Sequence, residues 1–140
     1  MQTADFLEAL GGLTAHLKSY ASKLPPVVHL AAVPTGVKPP LEAIEEYETI
    51  IGRVRSLSAG TRYRGLADVL IDSLESFEAG RLLGAVQPLL VALDQVEQMS
   101  HEKELEVGRI DAKRIAEYRS VLRTILPGNK PELQSGERGL

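Results

Sequence analysis

The sequence predicts an all-α protein: a single-domain bundle of four to five helices with a proline-rich crossover and a flexible C-terminal tail. Apolar residues recur at steps of three and four through most of the chain, which is the spacing of one helix face. No segment alternates with period two, as a half-buried strand would. Aromatic residues make up only 4% of the 140 residues, so the core must be mainly aliphatic, which suits helix packing. We expect the bundle to span residues 1–126 and the tail residues 127–140.

The first helix is predicted over residues 4–24, and Pro25 ends it because proline cannot continue helical hydrogen bonding. Asp5 is its expected N-cap, with Glu8 three residues later as in a capping box. The apolar stripe of this helix consists of Phe6, Leu10, Leu13, Leu17, Tyr20 and Leu24.

Residues 25–40 contain five of the eight prolines. Proline forbids a long helix here, so we expect an extended crossover that lies across the bundle. The apolar segment between the prolines, residues 27–33, has two interpretations. It covers the core, which is the simpler one, or it is a docking segment for a partner.

The second helix is predicted from Pro40 to Leu57, since proline is favoured in a first turn. Its glutamates come first and its arginines last, which matches the helix dipole without any ligand. Its predicted inner face consists of Ile44, Tyr47, Ile51, Val54 and Leu57.

The third helix is predicted over residues 62–79, capped by Thr61 and stopped by Gly80. The fourth begins at Leu82 and is the most apolar, so we expect it to be central; Pro88 either kinks it or marks its true start. The inner faces of these two helices consist of Tyr63, Leu66, Leu70, Leu74 and Phe77, then Leu82, Val86, Leu89, Leu93 and Val96.

Helical character is expected to fade after Ser100, in a highly charged stretch. Asp111 is the predicted N-cap of a fifth helix over residues 112–126, with Ile110 and Ile115 spaced as a hydrophobic staple.

Composition limits the classes of function. The formal net charge is −3, so nucleic-acid binding would require a local basic patch. The chain has no cysteine, which excludes disulfides and thiolate metal sites. The first residues lack a basic stretch and include acids, and no apolar run is long enough to cross a bilayer, so we expect a cytoplasmic protein without a membrane contact.

The sharpest local feature is an arginine-rich turn between the second and third helices, residues 53–64. It contains four arginines and no acid, and it ends at a predicted helix N-terminus, where free N–H groups favour an anion. A phosphate or nucleic-acid site there would use Arg53, Arg55, Thr61, Arg62, Tyr63 and Arg64, with Tyr63 stacking on a base. The alternative is a solvated turn, in which Arg64 pairs with Asp68.

A second pattern is Ala15-His16-Leu17-Lys18-Ser19, which resembles the phosphate-accepting box of histidine phosphotransfer domains. That family has one residue between the histidine and the Leu-Lys pair, and here it is absent. Without this residue, the lysine is rotated about the helix axis by about 100° relative to the histidine. A histidine phosphorelay module through His16 or His101 therefore stays a third hypothesis, and we assign no family.

No motif supplies a nucleophile with its base, a phosphate loop or a metal-ligand set, so we predict no enzyme activity, cofactor or metal. We expect a non-catalytic protein–protein interaction module: a small helical subunit or adaptor of a larger assembly, or a homo-oligomer. Its partner is a protein or a second copy, which docks on apolar helix surface. The predicted contacts are Phe6, Leu10, Leu13 and Leu17 of the first helix and Val27, Val28 and Leu30 of the crossover.

Overall fold

A computed structural model describes residues 1–24 and 37–125. Within these ranges every regular element is a helix, which confirms the all-α class. The five helices are α1 (Thr3–Ala21), α2 (Leu41–Ser58), α3 (Arg64–Glu78), α4 (Leu82–His101) and α5 (Arg109–Thr124). Most of the predicted crossover, residues 25–36, and the predicted tail lie outside the described residues.

The first four helices close a ring, and α5 packs on its outside. The most extensive contact joins α3 to α4; α2 packs on α3, and α1 on α2. α1 closes the ring against α4, and α5 lies against both α1 and α4. The short connections from α2 to α3 and from α3 to α4 make these neighbours in sequence into neighbours in space, as in antiparallel bundles.

The core is aliphatic with an aromatic cluster at its centre. Tyr47 stacks on Phe77 with ring centroids 4.4 Å apart, and Tyr20 meets the same ring edge-on at 5.7 Å. Every predicted inner-face residue of α3 and α4 is buried or half-buried. α4 buries seven apolar side chains, more than any other described helix, which explains its high apolar content.

Pro88 lies inside α4, so the alternative that it marks the start of the helix is wrong; Leu82 is the first residue. The helix packs closely on α3 through Gly84. A Cβ at this position would overlap Ser76 Oγ and lie 3.0 Å from Ser76 Cβ. A glycine at this position therefore allows the close approach of α4 to Ser76 of α3.

Thr61 is not the N-cap of α3, because the helix begins at Arg64 with Tyr63 as its N-cap. α2 begins at Leu41, one residue after the predicted start, and Pro40 is its N-cap.

Two further helix starts differ from the predictions. α1 begins at Thr3, and Asp5 is not its N-cap but accepts the backbone N–H of the true cap, Gln2, at 3.0 Å. α5 begins at Arg109 with Gly108 as N-cap, so Asp111 lies in the first turn. Ile110 is 73% exposed and forms no staple. The dipole explains both errors, because an acid stabilises the first turn as well as the cap position.

Candidate functional site

The apolar stripe of α1 is core rather than docking surface. Phe6, Leu10, Leu13 and Leu17 are each at most 1% exposed. α1 packs against α2, α4 and α5, so its apolar stripe is buried within the bundle. These four residues are not available to a partner, and that part of the predicted contact set is corrected. Val27, Val28 and Leu30 lie outside the described residues.

The structure instead exposes a groove between the outer sides of α1 and α2. The two helices are antiparallel, since Gly12 lies opposite Ile50 and His16 lies opposite Glu46. Small residues on α1 keep the groove open. We define the α1–α2 groove by its apolar floor and charged rim: Ala9, Ile50 and Leu57, with Asp5, Glu8 and Arg53.

Leu57 is the most informative residue of the groove. It was predicted to lie on the inner face of α2, but 49% of its surface is exposed. The buried line of α2 runs through Tyr47, Ile51, Val54 and Ser58 instead, and Ser58 is 0% exposed. The steps of four, three and four along this line place Ser58 inside and rotate Leu57 toward the groove. That spacing was the signal in the sequence, and the polarity of serine masked it.

The rim of the groove carries opposite charges on its two sides. Asp5 and Glu8 belong to α1, and Arg53 belongs to α2. Within residues 1–24 and 37–125, neither Arg53 nor Glu8 forms an ion pair. Both charges are therefore available to a molecule that enters the groove.

The arginine-rich turn does not bring its arginines together. Arg55 and Arg64 flank the same carboxylate, Asp68, at 4.0 and 3.8 Å. Arg62 reaches Glu104 at 3.7 Å, and Arg53 points into the α1–α2 groove. Three of the four guanidinium groups already have a carboxylate neighbour, so the geometry favours the solvated-turn interpretation.

Thr61 and Tyr63 serve the turn itself. The Thr61 hydroxyl donates to the Ser58 carbonyl at 2.7 Å and accepts the Tyr63 N–H at 3.1 Å. Tyr63 is 5% exposed, shares a hydrogen bond with the Thr3 hydroxyl and packs on Phe6. Its ring is not available to stack on a base, which corrects that part of the prediction. Burial also raises the pKa of Tyr63, a structural effect.

The two histidines considered for phosphorelay differ in environment. His16 Nε2 lies 3.2 Å from Glu46 Oε1, and its side chain is 22% exposed. The ring also contacts Tyr47 edge-on, at 6.2 Å between centroids. His101 is exposed at the last residue of α4. The carboxylate beside His16 would repel an approaching phosphate, so this side of the bundle does not favour phosphate acceptance.

A hydrogen-bonded chain crosses the core without reaching the surface. The hydroxyl groups of Tyr47 and Ser73 are bonded to each other, and Ser73 also donates to the Ala85 carbonyl at 2.6 Å. The chain ties α2, α3 and α4 together. Burial raises the pKa of Tyr47, because the phenolate would lose its hydration. We assign this chain to stability, since its polar atoms already have partners.

Among the described residues, no group of three or more His, Cys, Asp or Glu side chains is arranged to hold a metal ion. In the same residues, no helix is both long and apolar enough to cross a membrane. Comparisons with protein-family models, with curated proteins and with solved structures find no match.

Proposed function

We propose that this chain is a non-catalytic protein-interaction module, a small helical subunit or adaptor, and that it docks a partner helix in the α1–α2 groove. The observation that carries the proposal is the exposure of Leu57 on a surface shared with Ile50 and Ala9, where Glu8 and Arg53 on the rim have no ion-pair partner among the described residues. An aliphatic strip flanked by charges is the surface that helix-in-groove recognition uses.

The groove is suited to one aliphatic face of an amphipathic helix. Ala9 and Gly12 keep the α1 side shallow, so a partner side chain reaches the floor. Burial of Leu57 and of the partner's aliphatic groups would supply the affinity, at about 25 cal/mol per Å² of apolar surface removed from water. The charges on the rim would set the orientation of the partner and its rate of association.

Selection from a displayed library of amphipathic helical peptides tests this proposal. The wild-type chain is the bait, and a Leu57→Arg variant is the counter-bait, because arginine places a charge on the apolar floor. We expect enrichment of peptides that bind the wild type and are lost on Leu57→Arg.

A matched control is available in α4. Val91 is 43% exposed, close to the 49% of Leu57, but it does not line the groove. The selected peptides should bind Val91→Arg as well as the wild type. A library that yields no peptide sensitive to Leu57→Arg, while both variants keep wild-type helicity, would contradict the proposal.

A further inference from the structure

We propose that a second copy of this chain packs its own α1–α2 groove face to face against this one, related to the first by a twofold axis parallel to the groove. The inference rests on the proposed function and names the partner of the same site. It comes from the distribution of charge: acidic on the α1 side, basic on the α2 side and apolar between them.

A twofold interface uses the same patch on both subunits, so the patch must be complementary to itself. Rotation about an axis parallel to the groove exchanges the two sides, so that α1 of one copy faces α2 of the other. The acidic side then meets the basic side twice. Rotation about an axis in the same plane but perpendicular to the groove would bring acid onto acid and base onto base, which costs energy.

The register of α1 and α2 places the charges at matching heights. Gly12 lies opposite Ile50 in antiparallel helices, so three residues back along α1 and three forward along α2 bring Ala9 level with Arg53. Glu8 immediately precedes Ala9 in α1, so it lies close to the same height as Arg53. A rotation about an axis parallel to the groove leaves each residue's height along the groove unchanged, so Arg53 of one copy faces Glu8 of the other.

The same rotation sets the helix directions favourably. It leaves the direction along the groove unchanged, so each α1 keeps its sense and runs antiparallel to the α2 that it faces. Antiparallel neighbours place opposite ends of the helix dipoles side by side. Leu57 and Ile50 of both copies form the apolar centre of a four-helix layer.

The groove presents few large aliphatic side chains, so we expect a weak dimer that dissociates at low concentration. Light scattering on the full chain, between about 1 μM and about 1 mM, covers the range in which weak interfaces dissociate. The mass should rise from monomer to dimer and not further, because a twofold interface is closed.

Charge-reversal variants test the pairing. Glu8→Arg and Arg53→Glu should each raise the dimer Kd about tenfold or more, because each change creates two like-charge contacts. The double variant should recover near wild-type Kd, since it exchanges the sides of the acid and the base. Arg81→Glu is the matched control, because Arg81 is exposed at the start of α4 and lies outside the groove.

A wild-type chain that stays monomeric throughout the concentration range overturns the inference. Equal Kd values for Arg53→Glu and Arg81→Glu, or a double variant no better than the single ones, also overturn it. Far-ultraviolet circular dichroism checks that each variant is folded. A monomeric chain that still selects groove-binding peptides removes only the self-pairing, whereas a chain that does neither removes the proposed function as well.

Discussion

Gly11 of α1 lies directly against the Tyr118 hydroxyl of α5. A Cβ at this position would stand 2.5 Å from Tyr118 Oη and 2.9 Å from Cζ, so the ring would have to move. The close approach explains why α1 has a glycine in its middle, where alanine would be the better helix former. It is one of the contacts that pack α5 against α1.

Gly11→Ala should therefore lower the free energy of unfolding by about 1 kcal/mol, because overpacking outweighs the gain in helix propensity. Gly52 provides the control, since a Cβ there meets nothing within 4 Å. Gly52→Ala should raise the free energy of unfolding by about 0.5–1 kcal/mol. Urea titrations measure both, and equal stabilisation by the two substitutions would contradict the α1–α5 packing.

The buried chain from Tyr47 through Ser73 to Ala85 gives a second prediction. Ser73→Ala should cost about 1–3 kcal/mol, because it leaves the buried Tyr47 hydroxyl without its partner. Tyr47→Phe should cost less, since Ser73 keeps its bond to the Ala85 carbonyl. The double variant should be less destabilised than the sum of the single variants. Strict additivity in urea unfolding would show that the two hydroxyl groups do not interact.

The fold class and the five helices follow from periodicity alone, because four of the helices bury a stripe at steps of three and four. Helix α5 is the weakest case: only Ile115 and Leu122 of its described residues are fully buried. Its start was placed three residues late, because a glycine N-cap leaves no side-chain signal and Asp111 offered a stronger one.

The groove could not be predicted from the sequence. It depends on how α1 and α2 are rotated and how far they are shifted, and both are set by packing against α3, α4 and α5. Leu57 looked like an inner residue because it is aliphatic and lies three positions after Val54. Ser58, four positions after Val54, took the inner place because it fits a tightly packed helix end, where its hydroxyl bonds the Arg55 carbonyl at 3.1 Å.

Stability should depend on pH in the alkaline range. Burial raises the pKa of Tyr47 in the folded chain above its ordinary value of 10.0, so the unfolded chain releases this proton first. The contribution of the protonated Tyr47 to the free energy of unfolding is complete below pH 10 and is lost as pH rises above it. Urea unfolding on both sides of pH 10 should show this fall.

Tyr47→Phe should reduce the alkaline loss more than Tyr118→Phe, because Tyr47 is fully buried and Tyr118 is half-buried. Burial raises the pKa of Tyr118 too, but the nearby Arg114 opposes that rise. The assignment fails if the two variants lose stability with the same dependence on pH.

Substituting single leucines by alanine distinguishes core side chains from groove side chains by their effect on the free energy of unfolding. Leu13 is 0% exposed and Leu57 is 49% exposed, although both are leucines on helices that face each other. Leu13→Ala should cost about 2–5 kcal/mol, because it leaves a cavity in the core. Leu57→Ala should change the free energy of unfolding by less than about 0.5 kcal/mol. Similar losses for the two variants would mean that Leu57 is structural.

The most direct test of the docking groove is the affinity of one selected helical peptide for three forms of the chain, measured by calorimetry. Docking in the α1–α2 groove predicts at least about a tenfold loss of affinity for Leu57→Arg and an unchanged affinity for Val91→Arg, because only the first charge enters the contact. Equal affinities for all three forms, or equal losses for the two variants, would contradict the assignment of this groove as the binding surface.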